Sequence, residues 1–234
     1  MNYDAFIAEV KKYWDLRSKG LKKQGNRFLF QFTEKFKREV SEREADEILF
    51  QFCREYIDEQ KFPGDHLPRR HLPFQLTELL NSYFNRECAK NKMPQMRWAF
   101  QIFGEYYNPH ETGEEDKLYH ILERAYAHEK CDQQTVDLFF NTQVGTLWWG
   151  QHHFPEGCLI TREEFESTRK TADRILSERS VDDGLVAEYQ YYVKLYQIYF
   201  EWEEKGRVGD FCQMCRERGM EFEALPAFYY DGRG

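Results

Sequence analysis

Side chains able to bind, ionise or ligate concentrate in four places along the chain. The densest is Trp148-Trp149-Gly150-Gln151-His152-His153-Phe154-Pro155-Glu156-Gly157-Cys158, where two adjacent indoles, two imidazoles and a Pro-Glu-Gly turn follow one another. Successive residues on a helix diverge by about 100°, so Trp148 and Trp149 cannot both face one core. Two readings stand for this stretch. Aromatic anchors beside hydrogen-bonding tips make binding hot spots, which would make it a recognition loop. The same rings could instead plug a corner between helical hairpins, because both outcomes use the same aromatic packing.

The second place holds His120, Glu123, His128 and Cys131, residue types that bind zinc or iron. They raise the alternative of a metal- or histidine-dependent enzyme, with His120, His128, His152 or His153 in a helical cleft. Their spacing matches neither the His-Glu-x-x-His helix nor the Glu-x-x-His of di-iron bundles, which favours ordinary helix-surface residues. Third, Cys212-x-x-Cys215 puts two thiols on one helix. A zinc site needs a second ligand pair, and a redox motif needs a preceding strand; neither is at hand, so inert packing is expected. Fourth, His66-Leu67-Pro68-Arg69-Arg70-His71 is a local basic loop able to hold a phosphate or carboxylate, or simply to pair with acidic surface. No Walker loop, Gly-x-Gly-x-x-Gly, Gly-x-Ser-x-Gly elbow or zincin motif occurs. The default therefore moves away from an enzyme, and no catalytic residue, metal or cofactor is assigned.

The elements that must position these residues are helices. Apolar residues recur at helical spacing in Phe6, Ile7, Val10, Tyr13 and Trp14, then in Phe28, Phe32 and Phe36 over 28–38. They recur again in Ile48, Leu49, Phe52, Tyr56 and Ile57, and after Pro73 in Leu76, Leu79, Leu80, Tyr83 and Phe84. Pro94 suits the first turn of a helix with the stripe Met96, Phe100, Phe103 and Tyr107. Leu118 to Ala125, Val136 to Trp148, Phe165 to Leu176 and the tyrosines 189, 192, 196 and 199 mark further helices. The tyrosine series reads as a core stripe whose phenols need partners. Ser41-x-x-Glu44 and Thr161-x-x-Glu164 are capping boxes, Asp132 and Asp182 or Asp183 are N-caps, and Gly219 is a C-terminal stop. The aromatic tail around Phe228, Tyr229 and Tyr230 is expected to dock. No stretch alternates with period two. The fold class is all-α, about ten helices in antiparallel helical hairpins forming an irregular α-hairpin array or bundle. The proline-rich 62–73 segment predicts a boundary between an N-terminal helical subdomain, 1–62, and an acidic helical-hairpin body, 63–234, the two forming one continuous domain.

Composition supports a folded chain. Of 234 residues, 20 are Phe, 15 Tyr and 5 Trp, which excludes the aromatic-poor signature of disorder despite a mean hydropathy of -0.82. No apolar run approaches the roughly 18 residues of a membrane span. The N-terminal stretch carries Asp4 and Glu9 and no apolar signal core, so a cytoplasmic protein is expected. Six cysteines without a secretory signal predict reduced thiols. The net charge of -8 divides unevenly, with +5 over 1–40 and -13 over 41–234. The basic arm, Lys11 to Arg38, carries a nucleic-acid-binding alternative, or simply pairs with the acidic body. An acidic body repels phosphates and attracts basic proteins.

The leading expectation is a cytoplasmic protein-binding module whose acidic, aromatic-studded face docks a basic partner. The acid and ring candidates are Glu114, Glu115, Asp116, Glu123, Asp137 and Glu156, with Trp148, Trp149, His152, His153 and Phe154 supplying desolvated contact. In its acidic, ring-rich helical make-up the chain resembles the all-helical bacterial toxin-immunity proteins, through architecture and charge rather than a shared motif. That resemblance implies a basic toxin domain as partner, such as a nuclease, neutralised when its basic active site is covered.

Overall fold

The computed structural model describes residues 1–62, 72–104 and 115–224, with side chains throughout except at 115–117. Among the described residues there are ten α-helices, one π-helical turn and no strand, as the apolar spacing predicts. The chain divides into two compact units, Met1–Lys130 and Cys131–Gly234. None of the described helices is long and apolar enough to cross a membrane.

The first unit contains α1 (Tyr3–Ser18), α2 (Lys22–Glu39), α3 (Glu42–Cys53), the π turn Arg54–Asp58, α4 (Phe74–Ala89), α5 (Gln95–Phe103) and α6 (Glu115–Ala127). One core joins them, built on Phe6, whose ring meets Phe32, Phe36 and Phe52 at centroid distances of 5.6, 5.2 and 5.8 Å. Leu76, Leu80 and Tyr83 of α4 and Met96 and Trp98 of α5 belong to that same core. Residues 1–62 therefore share their interior with 74–103, and the compact units part after Lys130 rather than at the proline-rich connection. The composition of a linker marks a break in helix; it does not say which side chains pack across it.

Two local departures have clear causes. α2 begins at Lys22, six residues before its apolar stripe, because Gly25 lies against the Tyr13 ring and needs no side chain to be buried. α5 buries the whole run Gln95 to Ala99; of its expected stripe Met96 is in the core, Phe103 packs against the core, Phe100 is half-buried, and Tyr107 lies outside the described residues. Arg97, 3% exposed in its side chain, is drawn inward by Asp58, which its guanidinium grips through both terminal nitrogens at 2.8 and 3.2 Å. Trp98 Nε1 donates to the same carboxylate at 3.0 Å. The helical pattern opened by Ser41 widens into the π turn where Asp58 receives these donors.

The second unit contains α7 (Gln133–Gly150), α8 (Arg162–Glu178), α9 (Asp183–Glu204) and α10 (Phe211–Glu217), with α7 packed on α8 and α9, and α9 on α10. Asp132, Thr161 with Glu164, and Asp182 cap the starts of α7, α8 and α9 as their spacing predicts. Beyond α10, Gly219 takes φ +66°, a left-handed stop. The tyrosine stripe is core, and its phenols are satisfied. Tyr189 donates to Asp173 at 2.7 Å, Tyr192 to Glu188 at 3.3 Å and Tyr196 to the Leu147 carbonyl at 2.9 Å, while Tyr199 accepts from Arg207 at 3.2 Å.

Candidate functional site

Among the described residues of the second unit, the end of α7 carries the most exposed aromatic surface. Its inward stripe is Val136, Phe139, Phe140, Gln143, Val144 and Leu147, all buried. Trp148 and Trp149 follow Leu147 around the helix and leave that stripe, standing 47% and 39% exposed. Gly150 turns back into the core, where its Cα faces the Tyr196 hydroxyl and Ile160. The chain then makes a tight turn over 151–156, in which the His152 ring stacks parallel to Trp149 (6.3 Å, 4°) and lies 5.7 Å from Trp148. His153 is exposed beside it, edge-on at 5.5 Å. The outcome is a shelf of two indoles and an imidazole on the solvent side of a helix end.

The shelf is held from below. Phe154 is 2% exposed and stacks on Tyr199 at 4.0 Å, with Tyr196 and Phe211 edge-on at 5.2 and 6.0 Å. Leu159 N–H donates to the Gly150 carbonyl at 2.9 Å, and Arg207 donates to the Glu156 carbonyl at 3.3 Å. Cys158 Sγ donates to the Ile160 carbonyl at 2.9 Å, and burial raises its thiol pKa. Exposed rings and a packed corner therefore both occur within eleven residues. Trp148, Trp149, His152 and His153 face outward, whereas Phe154, expected among the contact residues, is the plug and offers no surface to a partner.

The acidic candidates do not gather around this shelf. Glu156 lies on it, exposed. Asp137, half-buried on α7, accepts from Gln133 at 2.9 Å and from the Asp182 backbone N–H at 3.1 Å, so it is a tie inside the second unit. Glu123 belongs to the first unit and pairs with His120 Nδ1 at 2.9 Å on the surface of α6. Glu114, the side chains of Glu115 and Asp116, the His66–His71 loop and the aromatic tail beyond Glu223-Ala224 lie outside the described residues. Divided by unit instead of at residue 40, the charge falls differently. The first unit holds equal numbers of acids and bases, and the whole net charge of -8 resides in the second.

The remaining chemistry is dispersed. His128 Nδ1 accepts from the Lys130 backbone N–H at 3.0 Å, and Cys131 contacts the Asp132 carbonyl at 3.7 Å. Among the described residues, no three His, Cys, Asp or Glu side chains converge as a metal site. All six cysteines are free. Burial pushes the Cys215 thiol up to about 11, the reverse of the shift a reactive Cys-x-x-Cys needs. In the basic arm, Lys19, Lys35, Lys37 and Arg38 pair with nearby carboxylates of the same unit.

One feature has no counterpart in the sequence motifs. A cleft of about 530 Å³ opens in the first unit between α3, α4 and the start of α5. Phe50, Tyr83 and Gln95 line it together with carboxylates and cations. No spacing rule could assemble it, because its parts come from three helices separated by the proline-rich segment and the Asn91–Pro94 turn. No family model matches this chain, and comparison with curated proteins and with solved structures gave no match.

Proposed function

We propose that the chain is a protein-binding module in which the Trp148–Trp149–His152 shelf of the second unit docks a basic polypeptide. The observation that carries this reading is the exposure of two adjacent indoles on a helix end whose underside is closed by Phe154, Tyr196 and Tyr199. Large aromatic rings that are already ordered lose little conformational freedom on binding, which is why Trp dominates interface hot spots. A Lys or Arg laid on an indole face contributes about 0.5–2 kcal/mol. The -8 charge of the same unit accelerates the approach of a cationic partner and discourages acidic ones. The finer reading, suggested by the resemblance to toxin-immunity proteins, is a cytoplasmic inhibitor that covers a basic toxin domain.

Affinity capture from cells that make the protein tests this, with wild type compared against Trp148→Ser/Trp149→Ser. The expected result is a basic polypeptide retained by wild type, released by added salt and absent with the double variant. Retention of the same partner by both proteins, or capture of nothing basic, overturns the reading.

A further inference from the structure

The cleft in the first unit is open to solvent above a buried polar floor. Its floor is Gln95 and Tyr83, 7% and 1% exposed, with Gln95 Nε2 donating to the Tyr83 hydroxyl at 3.2 Å. Gln95 Oε1 is buried and has no hydrogen-bond partner among the described residues. A buried carbonyl left in this way is costly, so a donor brought down to this floor would be stabilised there. The charges lining the cleft are layered by depth. Asp46 and Glu87, 22% and 12% exposed, are the inner ones, whereas the mouth is mixed: Arg43, Arg54 and Lys90 stand there with 90%, 47% and 54% of their side chains exposed, beside Glu42 and Glu47 at 69% and 67%. Asp46 is already paired with Arg86. Among the described residues Glu87 is held by Lys90 alone, at 2.7 Å and from solvent, an exchangeable contact of little net worth. Tyr83 is kept a neutral phenol chiefly by burial, with Glu87 and Asp46 adding to the shift. Phe50 supplies an apolar wall.

We infer that this cleft binds a small organic cation bearing N–H donors, a primary amine or guanidine on an apolar stem. The cationic head displaces Lys90 from Glu87 and donates to Gln95 Oε1, and the stem lies along Phe50. An anionic ligand is disfavoured twice, since it brings no donor to the carbonyl and meets carboxylates at depth. The site stands on the first unit alone and is independent of the Trp148–Trp149 shelf.

The test is calorimetric titration of the full chain with agmatine and spermidine, alongside tetramethylammonium and glutarate, with side-chain amide and ring signals followed by NMR. The account expects agmatine or spermidine to bind and to shift Gln95, Tyr83 and Phe50. It expects affinity to fall about ten-fold or more in Glu87→Gln and in Gln95→Leu. Tetramethylammonium, which has the charge but no donor, should bind weakly or not at all. Glu87 reaches solvent, so Glu87→Gln keeps the test open if Gln95→Leu fails to fold. The inference is overturned if neither amine binds at millimolar concentration, if glutarate binds in their place, or if all cations bind alike with shifts spread over the acidic surface.

Discussion

Gly150, the last residue of α7, is where one methyl group should do the most damage. A Cβ there would stand 2.1 Å from Tyr196 Oη, 2.6 Å from Ile160 Cγ1 and 2.9 Å from Ile160 Cδ1. Ile160 is half-buried and can rotate aside. Tyr196 cannot. It is 0% exposed, stacked on Phe165 at 4.8 Å, edge-on to Phe154 at 5.2 Å, and its hydroxyl donates to the Leu147 carbonyl at 2.9 Å. Admitting the methyl group forces the ring to shift and breaks that bond. Overpacking costs about 1–3 kcal/mol and orphaning the buried hydroxyl about 1–3 more, against a return of at most about 1 for replacing Gly by Ala in a helix. Gly150→Ala should therefore destabilise by about 1–5 kcal/mol. Gly145, five residues earlier on the same helix, is exposed and has nothing within 4 Å of its Cβ direction, so Gly145→Ala should stabilise by about 0.5–1 kcal/mol. With a urea m-value of about 2 kcal/mol per molar, the Gly150→Ala midpoint drops by about 0.5–2.5 M while Gly145→Ala rises by about 0.25–0.5 M. If Gly150→Ala unfolds within about 0.5 kcal/mol of wild type, Tyr196 is not pinned, and the helix end that presents the two indoles is not held as described.

Four further outcomes follow from the same packing. Trp148→Ser and Trp149→Ser should each change stability by less than about 1 kcal/mol, whereas Phe154→Ala should cost about 3–5, which urea denaturation resolves and which separates shelf from plug. Asp58→Ala removes the carboxylate that balances Arg97 and accepts from Trp98, so a loss of about 3–5 kcal/mol is expected by the same method; a loss under about 1 would contradict the buried pairing. Glu201, gripped first by Arg218 and then by Lys205, has its carboxyl lowered from 4.5 to about 2. Its contribution to stability is thus present above about 4.5 and fades as pH falls toward 2, and an NMR titration should show the midpoint move back upward in Arg218→Ala. Cys53, Cys88 and Cys215 are buried with thiols raised by desolvation, so a thiol reagent at neutral pH should label them far more slowly in native protein than in urea.

What the sequence discloses here is whatever depends on neighbours along the chain. Helix starts were legible because Ser41 with Glu44, Thr161 with Glu164, Asp132 and Asp182 satisfy amides within three residues of themselves. The divergence of Trp148 and Trp149 from Leu147 was legible for the same reason, as a rotation about one helix. Burial of a charged residue was not. Arg97 reads as a surface cation until Asp58, 39 residues away, is seen to receive it. Phe154 looked available because it sits in a loop, and only the Tyr199 ring from α9 shows that it is a plug. The Gln95 cleft was invisible for a related reason: a lone buried amide has no periodic signature, and its walls come from three helices.

The central claim is that the outward rings of the α7 end meet a basic polypeptide. It is tested most directly by placing the photo-crosslinking residue p-benzoylphenylalanine at position 149 in cells that make the protein. Gln134 and Asp183, exposed at the opposite end of α7 and beside it, serve as control positions. One basic polypeptide should be joined from position 149, absent from positions 134 and 183, and lost from position 149 when Trp148 is replaced by Ser. Equal crosslinking from all three positions, an acidic partner, or none from position 149 would contradict it.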